Sequence, residues 1–111
     1  FRGSTPIPQL TCPILPHKSL LVGKLSASRA IFPDIDLRAH FVDSQSENSC
    51  SRQQAKIYWS HGQIVLHNVG RSPITLVDGR LLSGGATHDW RPGEEVTLPG
   101  GLSLRLALRA I

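Results

Sequence analysis

A chain of 111 residues with 40% hydrophobic content can bury one core and is too short for two ordinary domains. No apolar run approaches a membrane span, and no basic-then-apolar lead segment suggests a signal peptide. Twelve Lys and Arg against eight Asp and Glu leave a net charge of +4, scattered rather than clustered, which argues against the basic stripe with aromatic platforms of a nucleic-acid binder.

In chain order, residues 1–9 carry Gly3, Pro6 and Pro8 and read as a flexible lead-in to a single domain over residues 10–111. Pro13 and Pro16 make any strand over 10–15 irregular or an edge. Ser19 to Lys24 is a better strand, its apolar run ending at Gly23, where the backbone can turn sharply. Residues 25–33 show no period. Asp34-Ile35-Asp36-Leu37 alternates acid and apolar as a short half-buried strand does, and Phe41-Val42 offers another. Residues 43–51, polar and rich in Ser, read as an exposed loop.

Gln54 to Ser60 alternates well, with Ala55, Ile57 and Trp59 on one face and Gln54, Lys56 and Tyr58 on the other. His61-Gly62 makes a hairpin turn back into Ile64, Val65 and Leu66. Ile74 to Val77 is a short strand. Asp78-Gly79 is a tight-turn signal in which both positions accept positive φ, and Arg80-Leu81-Leu82 leads back. Gly84-Gly85 is a loop and Pro92-Gly93 a turn before Glu95 to Leu98. After Pro99-Gly100-Gly101, Leu102, Leu104, Leu106 and Leu108 alternate with Ser103, Arg105, Ala107 and Arg109, the cleanest period-two signal in the chain. Strands every eight to twelve residues, with no capped amphipathic helix, predict an all-β antiparallel sandwich.

Cys12 and Cys50 are too few and too far apart for a disulfide framework. They read as buried free thiols of a cytoplasmic protein, one disulfide being the other reading. The five histidines, His17, His40, His61, His67 and His88, have no ligand-like spacing with each other or with the cysteines, so no metal is expected. Neither a nucleophile elbow nor a Gly-rich loop opening a helix is present, so no enzyme and no cofactor are expected. Trp59 and Trp90 read as core or hairpin packing, Arg29 and Arg38 as surface charges.

Two segments one hairpin apart, Ser51-Arg52-Gln53-Gln54-Ala55 and Asn68-Val69-Gly70-Arg71-Ser72-Pro73-Ile74-Thr75-Leu76-Val77-Asp78-Gly79, place hydroxyls and guanidiniums on loops beside core strands. That suits an anion at the tip of a sandwich. Together with Val22-Gly23-Lys24, Pro33-Asp34-Ile35-Asp36-Leu37, and Leu81-Leu82 with Pro92-Gly93-Glu94-Glu95-Val96, they form an ordered set. The set resembles the forkhead-associated (FHA) domain, over roughly residues 20–108. The resemblance implies an FHA-like (SMAD/FHA) antiparallel β-sandwich of about eleven strands. It implies a protein–protein interaction module that recognises a phosphothreonine-containing segment of a partner protein, with no catalytic residue, no cofactor, no nucleic acid and no membrane insertion.

Position by position, the resemblance makes Lys24 the phosphate-side cation where the family has Arg, and Ser51 the hydroxyl on phosphate. Arg52 follows on the same loop, with Arg71 and Ser72 on the facing loop. Pro73 stands where the family has the Asn that grips the peptide backbone, and Gln54 where it has a bracing His. Lys24 keeps the charge and loses the fork of Arg. Pro73 has neither a side-chain amide nor an N–H. Lys24, Gln54 and Pro73 therefore also support a second reading, a phospho-independent interaction or assembly domain on the same fold. A third reading, an enzyme or small-molecule-binding sandwich, needs a concave pocket with convergent polar groups, to which no sequence feature points. The positive field suits an acidic or phosphorylated partner, plain solubility being its bland counterpart.

Overall fold

The computed structural model describes Ile14, residues 18–38, Phe41 and residues 43–106. The lead-in, all of the strand expected over 10–15 except Ile14, Cys12, His17, His40, Val42 and residues 107–111 lie outside the described residues.

Nine strands among the described residues form two sheets. The strands are β1 (Leu20–Gly23), β2 (Ile35–Asp36), β3 (Gln53–Ser60), β4 (Gln63–Asn68), β5 (Ile74–Thr75), β6 (Leu81–Leu82), β7 (Thr87–Asp89), β8 (Glu95–Thr97) and β9 (Ser103–Arg105). One sheet runs β2-β1-β3-β4-β7 and the other β6-β5-β8-β9. Every pair is antiparallel except β1–β2, which run parallel. β2 is held there by its neighbours' backbone: Leu37 N–H donates to Gly23 O at 2.8 Å, and Asp34 accepts the Leu21 N–H at 2.8 Å. The strand over Thr87–Asp89 has no apolar alternation to announce it and is ordered by pairing with β4.

The alternating apolar positions meet between the sheets. Leu20, Val22, Ala55, Ile57, Ile64 and Leu66 face Ile74, Leu76, Leu82, Val96, Leu98, Leu102 and Leu106 in one buried cluster with Leu37, Cys50 and Trp90. Each buried Leu or Ile of this kind contributes about 1.5–3 kcal/mol by leaving water. Ser103 and Arg105 are exposed between buried Leu102 and Leu106, as their period requires. Trp90 is buried. Trp59 stays 38% exposed at the hairpin end, its indole N–H donating to Ile14 O.

His61-Gly62 turns β3 into β4 with both residues at positive φ (51° and 76°), the geometry that matches the twist of a two-residue hairpin. At Asp78-Gly79 only the glycine takes a positive φ, so Asp78 does not need the freedom its turn signal implied. Residues 43–51 are not all loop: Ser44–Ser49 form one short helix, α1. Asp43 caps it, accepting the Ser46 N–H at 2.7 Å. α1 buries no residue, so there was no apolar stripe to reveal it.

Candidate functional site

The loops that follow β1, precede β3 and follow β4 converge because of one register slip. Val22 pairs with Ala55, but Gly23 pairs with Gln53, leaving Gln54 as the extra residue of a bulge. A bulge re-aims a side chain, and Gln54 leaves the alternation that placed it with exposed Lys56. It is fully buried beside buried Ala55. Gly23 permits the slip through close approach, not through φ. A Cβ there would overlap the Arg52 carbonyl, to which the Lys24 N–H donates at 2.8 Å.

Beneath the loops lies a buried amide pair. Gln54 Oε1 accepts the Ser51 N–H (2.9 Å), and its Nε2 donates to Asn68 Oδ1 (3.0 Å). Asn68 Oδ1 also accepts the Gly70 N–H, and Nδ2 donates to Ser72 O (2.9 Å) and Leu82 O (2.8 Å). The backbone donors and acceptors around the pair fix the orientation of both amides. The loops before β3 and after β4 and the end of β6 are thereby tied to two side chains with no solvent exposure at all. Gly70 sits on the Gln54 amide so closely that a Cβ would come within 2.6 Å of Nε2. The bracing position is therefore held by Gln54 with two side-chain hydrogen bonds, but Asn68 makes four. In the sequence it stands as a polar residue closing an apolar strand and as the first residue of the second loop motif.

Above this pair is an open depression of about 450 Å³ lined by Arg29, Ile31, Ser51, Arg52, Gln53, Val69, Gly70 and Arg71. Ser51 Oγ accepts the Arg71 N–H at 3.1 Å, which joins the two loops and leaves the hydroxyl proton free to donate outward. No carboxylate lines the depression. Among the described residues, Arg29, Arg52 and Arg71 form no salt bridge. The acids nearest in sequence to Arg29 are engaged elsewhere, Asp34 with Lys18 and Asp36 with Arg38. The Leu21 N–H, followed by Lys18, holds the Asp34 carboxyl below its ordinary range against a modest opposing effect of burial.

The expected site residues divide. Ser51, Arg52 and Arg71 come together in the depression. Lys24, Ser72 and Pro73 are not among its lining residues. Lys24 runs to the helix instead, its ammonium donating to Glu47 O at 2.8 Å. That carbonyl also accepts the Cys50 N–H that ends α1, so Lys24 meets the negative end of the helix. Ser72 offers its carbonyl to Asn68, and Pro73 is exposed. Arg29, read from sequence as a surface charge, belongs to the lining. It is carried by a short 3-10 turn, Ala27–Arg29, whose end is tied by Ala30 N–H to Ala27 O.

Cys50, the free cysteine among the described residues, is buried beneath the same loops. Burial pushes its thiol up to about 11, with Lys24 working in the opposite direction. A thiol so placed is protonated and unreactive at neutral pH. The described residues hold no group of three His, Cys, Asp or Glu that could bind a metal, and no helix long and apolar enough to cross a membrane. A second depression, about 550 Å³, is lined by Arg80, Thr87, His88, Asp89, Arg91 and Glu94 and mixes both signs of charge.

A family model described as FHA domain matches residues 22–99, more than half of the chain and all three loops of the depression. No curated protein and no solved structure matches the chain.

Proposed function

We propose that this chain, which belongs to the FHA-domain family, binds a phosphothreonine-bearing segment of a partner protein in the depression whose charged lining residues are all arginines. FHA domains are protein–protein interaction modules. The observation that carries it is a hydroxyl in a depression that Arg52 and Arg71 also line, neither of them in a salt bridge among the described residues, with no carboxylate in the lining. A phosphate at neutral pH brings close to two negative charges and three acceptor oxygens. Ser51 would donate its O–H to one oxygen, and Arg52 and Arg71 would reach the others with charge-assisted bonds. Gln54 and Asn68 hold the loops in place before the ligand arrives, which reduces the ordering cost of binding.

Pro73 shapes the affinity. Lacking an N–H and a side-chain amide, it cannot grip the peptide main chain from that position. Recognition then leans on charge, so binding falls steeply as salt rises. Lys24 would support the site from behind, through α1, rather than by touching phosphate.

The test pairs phosphothreonine peptides with their unphosphorylated forms, against the native domain and a Ser51→Ala, Arg52→Ala variant. The expected outcome is binding that requires the phosphate and drops at least about tenfold in the variant. Tight binding of both peptide forms, equal in native domain and variant, would instead establish the phospho-independent interaction module.

A further inference from the structure

Charge balance in the depression points to a second feature of the ligand. Arg52 and Arg71 lie on the two loops that the Ser51–Arg71 hydrogen bond joins, so they flank the hydroxyl together. Two guanidiniums match the charge of one phosphate. Arg29 reaches the same depression from a different element, the 3-10 turn that precedes half-buried Ile31. It is exposed, forms no salt bridge among the described residues, and faces no carboxylate in the lining. A phosphate seated at Ser51 leaves this third positive charge uncompensated.

We infer that Arg29 reads a second anionic group on the same partner segment, close to the phosphothreonine. Ile31 beside it offers an apolar surface for the stem of that side chain. The ligand class is therefore a phosphothreonine segment flanked by an acidic residue or by another phosphorylated one. The shared chemistry is an anion within reach of a lone guanidinium at the rim, where charge acts on specificity and on the rate of association. The inference rests on the phosphate reading of the previous subsection, and Arg29 in it is a specificity residue, not part of the phosphate grip.

Four peptides of one backbone separate the possibilities: phosphothreonine with neutral flanks, with acidic flanks, or with a neighbouring second phosphothreonine, and the acid-flanked peptide without phosphate. Each is titrated into native protein and Arg29→Gln by fluorescence anisotropy at low and physiological salt. Native protein is expected to bind the acid-flanked phosphopeptide about fivefold more tightly than the neutral one. Arg29→Gln is expected to erase that gain, while its affinity for the neutral phosphopeptide stays within about twofold. Its unfolding midpoint should be unchanged, because the side chain is exposed. A gain from the second phosphate alone, erased in the same way, assigns the second group to phosphate rather than carboxylate. Equal loss on every phosphopeptide would place Arg29 on the phosphate itself and overturn the inference, as would indifference of the native protein to both kinds of flank. If phosphate gives no advantage even on the neutral backbone, the phosphate reading falls and this inference falls with it.

Discussion

The two depressions on this domain are of similar size, about 450 and 550 Å³, and opposite in charge logic. In the second, Arg80 is paired with Asp78, His88 Nε2 lies 3.3 Å from Glu94 Oε1, and Asp89 adds a further acid. In the first, three guanidiniums stand over a buried amide pair with no acid among them. Volume does not separate the two. What differs is that acids, Asp89 and Glu94, stand beside the cations of the second depression and none lines the first. Arg38 and Arg80 each pair with an aspartate two residues earlier, and Arg105 with its cross-strand neighbour Glu95. Such exposed pairs contribute little stability, roughly 0–1 kcal/mol, but they cancel charge locally. Among the described residues, Arg29, Arg52 and Arg71 have no such partner.

The most severe way to break this contrast is to remove the support under the first depression. Asn68→Ala removes the donors to the Ser72 and Leu82 carbonyls and the acceptor of the Gln54 amide, and leaves the Gly70 N–H with the Gln54 backbone carbonyl alone. Unsatisfied buried groups are costly, so urea unfolding should show a loss of about 3 kcal/mol. Phosphopeptide binding should weaken in conditions where the variant is still folded. A variant as stable and as active as the native protein would mean that the amide pair does not organise the loops.

A smaller effect is expected at Lys24. Lys24→Met removes the charge-assisted bond to Glu47 O and should cost about 1 kcal/mol in unfolding. It should leave phosphopeptide affinity within about threefold, far less than the Arg52 change. A loss as large as that from Ser51→Ala, Arg52→Ala would return Lys24 to the phosphate site and erase the distinction between it and the lining arginines.

The smallest effect belongs to the second depression. Glu94 accepts the Arg91 N–H, which together with His88 holds its carboxyl below the ordinary 4.5 against mild desolvation. A depressed carboxyl stabilises the fold above its unfolded value, and the contribution disappears as pH falls through the folded value. Glu94→Gln should therefore flatten the acid limb of the stability curve below about pH 4.5. At neutral pH the change should be no more than about 0.5 kcal/mol, and phosphopeptide binding should be unaffected. Altered phosphopeptide affinity in this variant would show that the two depressions are not independent.

Much of the fold could be read along the chain. Alternation marked β2, β3 and β9, apolar runs marked β1 and β4, and turn residues marked the hairpin between β3 and β4 and the turns before β6, β8 and β9, because those signals are local. β7 and α1 were silent for the same reason: neither carries an apolar period, one being ordered by its neighbour β4 and the other by a cap. The family resemblance, its ordered motifs and the loops bearing Ser51, Arg52 and Arg71 were all present in the sequence. Which cations share one void was not. Lys24 and Arg29 lie five positions apart, and neither spacing nor charge says that one turns to the α1 carbonyl while the other lines the depression. That outcome depends on a one-residue slip between β1 and β3, on the close approach of Gly23 to the Arg52 backbone, and on where a short polar helix packs. Residue types and periodicity set the strands and the chemical inventory, because each residue carries them wherever it sits. The direction of a side chain at a strand end is set by contacts distant in sequence, and only the packed sandwich supplies those.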